Sequence, residues 1–268
     1  MAALSGPRRM GMGGAVFFWS GLAFLYLPVV VLAAYSFNDS RFALAWEGFT
    51  LDWYRGVFTS REIGRAAWNT LIVSSASTIV SVILGTALGV GLHFSRFRGR
   101  DLLWKSFYLP ILVPDITQAV ALLSFFALVA LPLGLTSIIL AHVSFQLSFV
   151  ALLVRARLDA FPGRVVEAAR DLGAPPLVAI RKVVLPLAAP GIVAGALIAF
   201  TLSVDDFLIA YFTAGPGAST LPIRIYSMIR RGVTPEVNAL ATLLLAFSLL
   251  TMTSAILFLR KGGGEDRA

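Results

Sequence analysis

Long runs of uncharged, mostly apolar residues make up most of this chain, and short charged segments separate them. A helix needs about 20 mostly apolar residues to cross the hydrocarbon core of a bilayer. Within that core every backbone polar group has to be satisfied inside the protein, which a helix does along its whole length. Several runs reach the required length, and the sequence therefore predicts an all-α integral membrane protein.

The apolar runs predict six membrane-spanning helices. One run, 106–154, is too long for a single crossing and carries one charge, Asp115. We expect this run to fold back at 131–134, where Pro132 removes a backbone donor and Gly134 permits a turn. It then supplies the third and fourth spans. The other predicted spans are 15–35, 66–95, 192–212 and 237–259.

The basic residues predict an orientation. Lys and Arg number 22 against 14 Asp and Glu, and they lie in short clusters between the apolar runs. Basic residues are enriched in cytoplasmic loops. A cytoplasmic N-terminus places 15 of the 22 basic residues inside and seven outside, so we expect both termini in the cytoplasm. Binding to nucleic acid would need a basic face on a soluble domain, and the sequence predicts no such domain.

Few residues are suited to metal or disulfide chemistry. The chain has no cysteine, which excludes disulfides and thiolate metal sites. His93 and His142 each stand alone in an apolar run, a position more typical of helix packing than of metal ligands. The sequence therefore predicts no metal site.

One charged, proline-rich loop interrupts the apolar runs before the fifth predicted span. The stretch GRVVEAARDLG, 163–173, predicts a short helix that Gly173 ends in the left-handed conformation. The two prolines that follow suit the first turn of a second helix, which we expect Pro186 and Pro190 to stop before the span. An apolar helix face outside the bilayer usually docks into a groove on a partner. The predicted docking face consists of Val166, Ala169 and Leu172.

This loop resembles the EAA loop of binding-protein-dependent ABC importer permeases. Their pattern is EAA, three residues, G, nine residues, I, any residue and LP; here valine replaces the isoleucine. The stretches YSFNDSRF, WEGFTLDWY, FTLSVDDF and LPIRIYSMIRRGVTPEVNALAT further resemble the C-subunit family of spermidine/putrescine import systems. The resemblance implies a type I importer fold at 61–260, a first helix and outer loop at 1–60, and a cytoplasmic tail at 261–268. The matching motif residues are Glu167, Ala168, Ala169, Gly173, Leu185 and Pro186.

The resemblance also implies partners in a bacterial inner membrane. The loop is expected to be a coupling helix that docks onto a separate ABC ATPase dimer, with Glu167 for polar docking and Gly173 for the turn. A chain that hydrolyses ATP would need a P-loop, and none of the three lysines here follows a glycine. We therefore expect no enzyme activity and no cofactor in this chain, with ATP and Mg²⁺ bound by the ATPase. The other implied partners are a second homologous permease and an extracytoplasmic polyamine-binding protein.

Three aspartates stand inside predicted spans: Asp115 in the third, and Asp205 and Asp206 in the fifth. No lysine or arginine lies within a predicted span. A charged aspartate at the centre of a bilayer costs about 2.5–3.5 kcal/mol, so protonation, a water-filled path, a partner subunit or a cationic substrate has to offset that cost. Because the resembling family carries cations, we predict that Asp115 and at least one of Asp205 and Asp206 line the substrate path.

A structural role is the alternative for the same aspartates. Asp205 lies one turn after Thr201, whose hydroxyl could bond to it, and Asp115 could cap a helix that restarts after two prolines. Neighbouring residues on an α-helix point about 100° apart. On a regular helix, Asp205 and Asp206 therefore do not both face the path.

These observations predict a permease subunit of an ATP-driven importer for polyamines. An importer permease for another organic cation, an amino-acid derivative or ferric iron would share the same loop. An ion-coupled secondary transporter could use the aspartates as proton or sodium sites, but it would favour inverted repeats, which the sequence does not show. An intramembrane enzyme would need a nucleophile or metal constellation.

Overall fold

The structure is a computed structural model and describes residues 12–40, 45–160, 164–232 and 234–262. Every regular element in these ranges is helical, and a β-bridge between Asn38 and Phe49 is isolated. This confirms the predicted all-α fold. The elements are α1 Met12–Tyr35, α2 Asp52–Thr59, α3 Arg61–Phe94, α4 Arg100–Ser106, α5 Leu109–Leu112, α6 Asp115–Leu128, α7 Leu135–Asp159, α8 Arg164–Asp171, α9 Pro176–Ala179, a π-helix Ile180–Val184, α10 Leu185–Asp205, α11 Leu208–Thr213, α12 Leu221–Ile229 and α13 Pro235–Gly262.

By their internal packing the helices form two units. The first lies within Met1–Thr59 and Met228–Leu243, and the second lies within Ser60–Ser227 and Leu244–Ala268. The second unit contains every residue that the sequence singles out for coupling or for the substrate path.

A small folded segment follows α1 in the first unit. The side-chain oxygen of Asn38 accepts from the backbone N–H of Glu47 at 2.9 Å, and its backbone carbonyl accepts from the indole of Trp53 at 2.8 Å. The rings of Phe37 and Phe49 stack with centroids 5.4 Å apart. The two sequence motifs that contain these residues, YSFNDSRF and WEGFTLDWY, therefore contact each other.

Five helices are long and apolar enough to cross a membrane, and a bent pair adds a sixth span if it counts as one. The pair consists of Arg100–Leu112 and Asp115–Leu128, whose axes meet at 108°. Counted in this way, the spans of the described chain number six, as predicted. The five unbroken spans are Gly13–Tyr35, Arg61–Phe94, Leu135–Asp159, Pro176–Asp205 and Pro235–Ser254.

The third span is not one continuous helix. Val113 and Pro114 have extended backbones, with ψ of 130° and 139°, between α5 and α6. Pro114 has no N–H to donate to the carbonyl of Pro110 one turn earlier. The side-chain amide of Gln118 donates to that carbonyl at 2.7 Å and to the carbonyl of Val113 at 2.9 Å. A side chain thus replaces the missing backbone donor and stabilises the break.

The prediction that prolines stop the second helix of the loop is wrong. Pro186 and Pro190 do not interrupt it, because α9 passes through the π-helix directly into α10. In this wider turn the N–H of Leu185 bonds to the carbonyl of Ile180, five residues back. Pro186 follows directly after this π-turn, and local π-helical adjustments of this kind let membrane helices tolerate the missing N–H of proline. One helix therefore runs over Pro176–Asp205.

The fifth span also ends earlier than the predicted residue 212. α10 stops at Asp205, and the backbone of Asp206 is extended, with φ of −66° and ψ of 126°. α11 begins at Leu208. The segment predicted as one helix is therefore two, and the break lies at the pair of acids.

Three closely packed helices, α3, α7 and α10, hold the second unit together. Glycines lie where the helices approach most closely. A Cβ atom added at Gly85 of α3 would lie 2.7 Å from the Cβ atom of Val150 in α7. A Cβ atom added at Gly195 of α10 would lie 3.1 Å from the Cα atom of the same valine. Small residues let helix backbones approach each other in lipid. The buried core here comprises Val90, Val150, Val154, Leu158, Val184, Ala188 and Ala199.

Gly85→Ala should therefore destabilise the protein. The added methyl group meets Val150 and also the carbonyl oxygen of Leu147 at 3.1 Å, and overpacking of this kind costs about 1–3 kcal/mol. Gly91→Ala in the same helix meets nothing within 4 Å and gains about 0.5–1 kcal/mol from the helix preference of alanine. We expect a lower thermal unfolding midpoint in detergent for Gly85→Ala alone. Equal midpoints for the two variants would contradict the packing of α3 against α7.

Candidate functional site

The three aspartates singled out from the sequence lie around one cavity in the second unit. Its volume is about 290 Å³, and Asp115, Asp205 and Asp206 are the charged side chains in its wall. Phe145 and Phe149 of α7 also line it, and none of the lining residues in the described part of the chain is a lysine or an arginine. The rest of the wall comes from Pro110, Ile111, Gln118, Thr201, Leu202 and Ile209.

Asp115 is the first residue of α6, directly after the break in the third span. Pro114 occupies the N-cap position, and the Asp115 carboxylate makes no hydrogen bond or ion pair with the described part of the chain. It therefore does not cap the helix through a side-chain hydrogen bond, which was the alternative role. The positive end of the helix dipole still favours an acid in this first turn. Its exposed carboxylate faces the cavity without a partner from the described chain.

The break after α10 lets Asp205 and Asp206 share the cavity. The expected divergence of neighbouring side chains applies to a regular helix, but the helix ends at Asp205 and the backbone of Asp206 is extended. The Asp205 carboxylate accepts from the hydroxyl of Ser248 at 2.7 Å. Thr201, its candidate partner from the sequence, donates instead to the backbone carbonyl of Leu197 at 2.9 Å.

Asp206 is held by a buried histidine that the sequence did not assign to the site. Nε2 of His142 lies 3.2 Å from Oδ2 of Asp206, and its Nδ1 lies 2.7 Å from the hydroxyl of Ser203. The predicted packing role of His142 agrees with its burial, but its partners place it behind the cavity wall. The sequence did contain a sign of this polar role. Gln146 lies four residues after His142, and two polar residues with this spacing on an apolar helix share one face.

The loop that resembles the EAA motif folds as a helix and a turn. Gly173 ends α8 with φ of +80°, as predicted. The N–H of Gly173 bonds to the carbonyl of Arg170 at 2.9 Å, and that of Ala174 bonds to the carbonyl of Ala169 at 3.1 Å, which is the pattern of a Schellman motif. The other motif residues lie on two elements, with Glu167 and Ala168 exposed on α8 and Leu185 and Pro186 at the start of α10.

The predicted docking face of this loop is divided, so that prediction was wrong in part. Val166 packs against the core cluster of its own chain that contains Val184, and Ala169 is half-buried. Leu172 is 89% exposed. The most exposed apolar side chains of the described loop are therefore at the turn, at Leu172 and at Leu177 after it.

A comparison with known protein families gives a match over residues 81–261, to the family described as binding-protein-dependent transport system inner membrane component. The chain belongs to this family. The matched region contains the loop, the three aspartates and His142. Together with the apolar helices, membership makes the chain a multi-pass inner-membrane protein.

Two relatives and one solved structure extend this finding. The chain is 40% identical over 247 residues to the spermidine/putrescine transport system permease protein PotC of Shigella flexneri, covering 91% of this chain and 94% of the relative. It is 39% identical over 232 residues to the putrescine transport system permease protein PotI of Escherichia coli, covering 84% and 83%. A chain of a bacterial ABC transporter involved in the import of the acidic polysaccharide alginate has the same fold, with a TM-score of 0.72 at 17% identity over 93% and 94% of the two chains.

Proposed function

We propose that this chain is the permease subunit of an ATP-driven importer for polyamines such as spermidine and putrescine. The relatives at 39–40% identity carry these two solutes in their names. The single observation in the molecule that carries the proposal is the cavity wall. Its described residues include three carboxylates and two phenylalanines and no lysine or arginine. That wall favours a solute with positive charge and apolar segments.

Polyamines have several ammonium groups joined by methylene chains, and each part of the wall suits them. Carboxylates pair with ammonium groups, and the faces of Phe145 and Phe149 offer cation–π contacts of about 0.5–2 kcal/mol. A bound cation in turn offsets the free energy of holding Asp115 and Asp205 ionised within a membrane. The same argument disfavours anionic solutes.

The loop supports a coupling role toward a separate ABC ATPase dimer. The chain has no P-loop, so we assign ATP and Mg²⁺ to the ATPase. Glu167 is exposed on α8 for polar docking, and the turn at Gly173 presents Leu172 and Leu177 as an apolar tip. Ala168 and Ala169 on α8, and Leu185 and Pro186 at the start of α10, complete the coupling segment.

The remaining partners in this proposal are a second homologous permease and an extracytoplasmic polyamine-binding protein. The bias of basic residues toward one side supports cytoplasmic termini. In that orientation the loop faces the cytoplasm, where an ATPase can reach it.

Uptake of radiolabelled spermidine and putrescine tests the proposed function. Proteoliposomes that contain this chain, the second permease and the ATPase should accumulate one or both solutes when ATP and the loaded binding protein are present. Omission of this chain should abolish accumulation. Accumulation of neither polyamine by an assembly that hydrolyses ATP would contradict the assigned solute, and ATP-independent accumulation would favour an ion-coupled transporter.

Charge reversal at Glu167 tests the coupling role. The side chain is exposed, so Glu167→Lys should leave the amount of membrane protein unchanged. Loss of one charged contact with the ATPase is expected to lower stimulated ATP hydrolysis and uptake about tenfold, which corresponds to about 1.4 kcal/mol.

Asp171→Lys is the matched control, since it makes the same charge change on the same helix at a position that the motif leaves free. A surface charge outside a specific contact is worth about 0–1 kcal/mol, so this variant should lose little activity. Equal loss in both variants, or no loss in either, would argue against a specific role for Glu167.

A further inference from the structure

Asp206 differs from the other two cavity acids in the number of donors that hold its carboxylate. Oδ2 accepts from the N–H of Ala210 at 2.7 Å and lies 3.2 Å from Nε2 of His142, and Oδ1 accepts from the N–H of Ile209 at 3.4 Å. The side chain of Asp206 is only 10% exposed. Asp205, by contrast, is exposed and accepts one hydrogen bond from the described chain, from a serine hydroxyl.

The donors to Asp206 fix the break between α10 and α11. The first N–H groups of a helix have no partner within the helix, and the Asp206 carboxylate accepts from two of them at the start of α11. Aspartate is among the residues preferred for this task. The geometry of the break therefore depends on where the Asp206 side chain is held.

His142 is itself oriented by a chain of hydrogen bonds through the buried core. Its side chain is 1% exposed, and its Nδ1 atom lies 2.7 Å from the hydroxyl of Ser203. That hydroxyl lies 3.4 Å from the hydroxyl of Ser77 on α3, which accepts from the side-chain amide of Gln146 at 3.1 Å. Gln146 also donates to the carbonyl of Ala199 at 3.1 Å. The imidazole is thereby tied to α3, α7 and α10 at once.

The direction of the His142 hydrogen bond follows from its acceptor. We assign the hydrogen in this contact to Nε2 of His142, because Oδ2 of Asp206 also accepts from the N–H of Ala210 and a carboxylate in its ionised form is an acceptor only. In a neutral imidazole the other nitrogen, Nδ1, then accepts from Ser203. A Ser203 hydroxyl that donates to Nδ1 thus leaves the hydrogen of the neutral ring on Nε2, the nitrogen that faces Asp206.

We propose that His142 is a positioning residue for the cavity. It holds Asp206 against the first turn of α11, so that Asp206 shapes the break while Asp115 and Asp205 bind the ammonium groups of the solute. The nature of that solute rests on the proposed function, whereas the role of His142 follows from contacts within the chain. One structural carboxylate and two binding carboxylates thus line the same cavity.

Nitrogen-15 spectra of the histidine side chain test the contact directly. The chain has two histidines, so His93→Gln leaves His142 as its one imidazole in an assembled, lipid-embedded transporter labelled in this chain alone. We expect the spectrum to show a hydrogen on Nε2 of His142. Asp206→Asn should shift the Nε2 resonance, whereas the matched variant Asp205→Asn should leave that resonance in place. A bare Nε2 atom, or equal shifts in the two variants, would overturn the assignment.

Transport per folded molecule separates positioning from folding. A glutamine at position 142 can still donate to Asp206 through its amide, whereas a leucine cannot. We expect His142→Leu to lower transport about tenfold, the effect of one hydrogen bond to a charged group, and His142→Gln to retain about a third or more. Equal transport by the two variants would contradict the proposal. If the His142→Leu protein does not fold into the membrane, the His142→Gln variant alone tests the proposal. Transport at a tenth of the original rate or less would contradict the donor role, and retention of about a third would support it.

The two proposals fail in different ways. The nitrogen spectra require no solute, so a transporter that carries neither polyamine but shows the expected Nε2 signal would refute the proposed function and leave the role of His142 intact. A transporter that carries polyamines with a bare Nε2 atom would do the reverse.

Discussion

A helix that breaks inside a membrane leaves backbone groups that lipid cannot satisfy, and the candidate site depends on how two such breaks are satisfied. Between α5 and α6, Gln118 donates to two carbonyls in place of the donor that Pro114 lacks. Between α10 and α11, the Asp206 carboxylate accepts from two free N–H groups. Both breaks border the same cavity, and each brings a further carboxylate, Asp115 or Asp205, to its wall. The two breaks therefore bring all three carboxylates of the acidic site to one wall.

The fifth span connects this cavity to the charged loop. α9, the π-helix and α10 form one helix of 30 residues over Pro176–Asp205, which is about 45 Å long at 1.5 Å per residue. Its middle packs against α7 through Gly191 and Gly195, so it moves with the core rather than independently of it. If the loop docks onto an ATPase, as we propose, a displacement of α9 passes to Asp205 along this single helix. The π-helix is the one irregular turn along this route, and such turns are frequent at functional sites.

Features set by local chemistry could be predicted from the sequence, and features set by packing could not. The first predicted span begins three residues after the start of α1 at Met12, and the second begins five residues after the start of α3 at Arg61. These spans could be predicted because length and polarity alone decide them. The left-handed turn at Gly173 follows from glycine itself. Pro186 misled the prediction because a π-turn accommodates it, and the partnership of His142 with Asp206 depends on a helix break that no periodicity reveals. The aspartates stood out as charges in apolar runs, but only the two breaks bring all three to one cavity.

Protection of a single cysteine by the transported solute tests most directly whether the cavity carries it. The chain has no cysteine, so Leu202→Cys places one thiol in the cavity wall, and Ile198→Cys places a control thiol one turn earlier on the same helix, exposed but outside the wall. During ATP-driven transport, we predict that spermidine or putrescine slows modification of position 202 by a small cationic thiol reagent and leaves position 198 unaffected. Equal modification of position 202 with and without a transported polyamine would contradict the account.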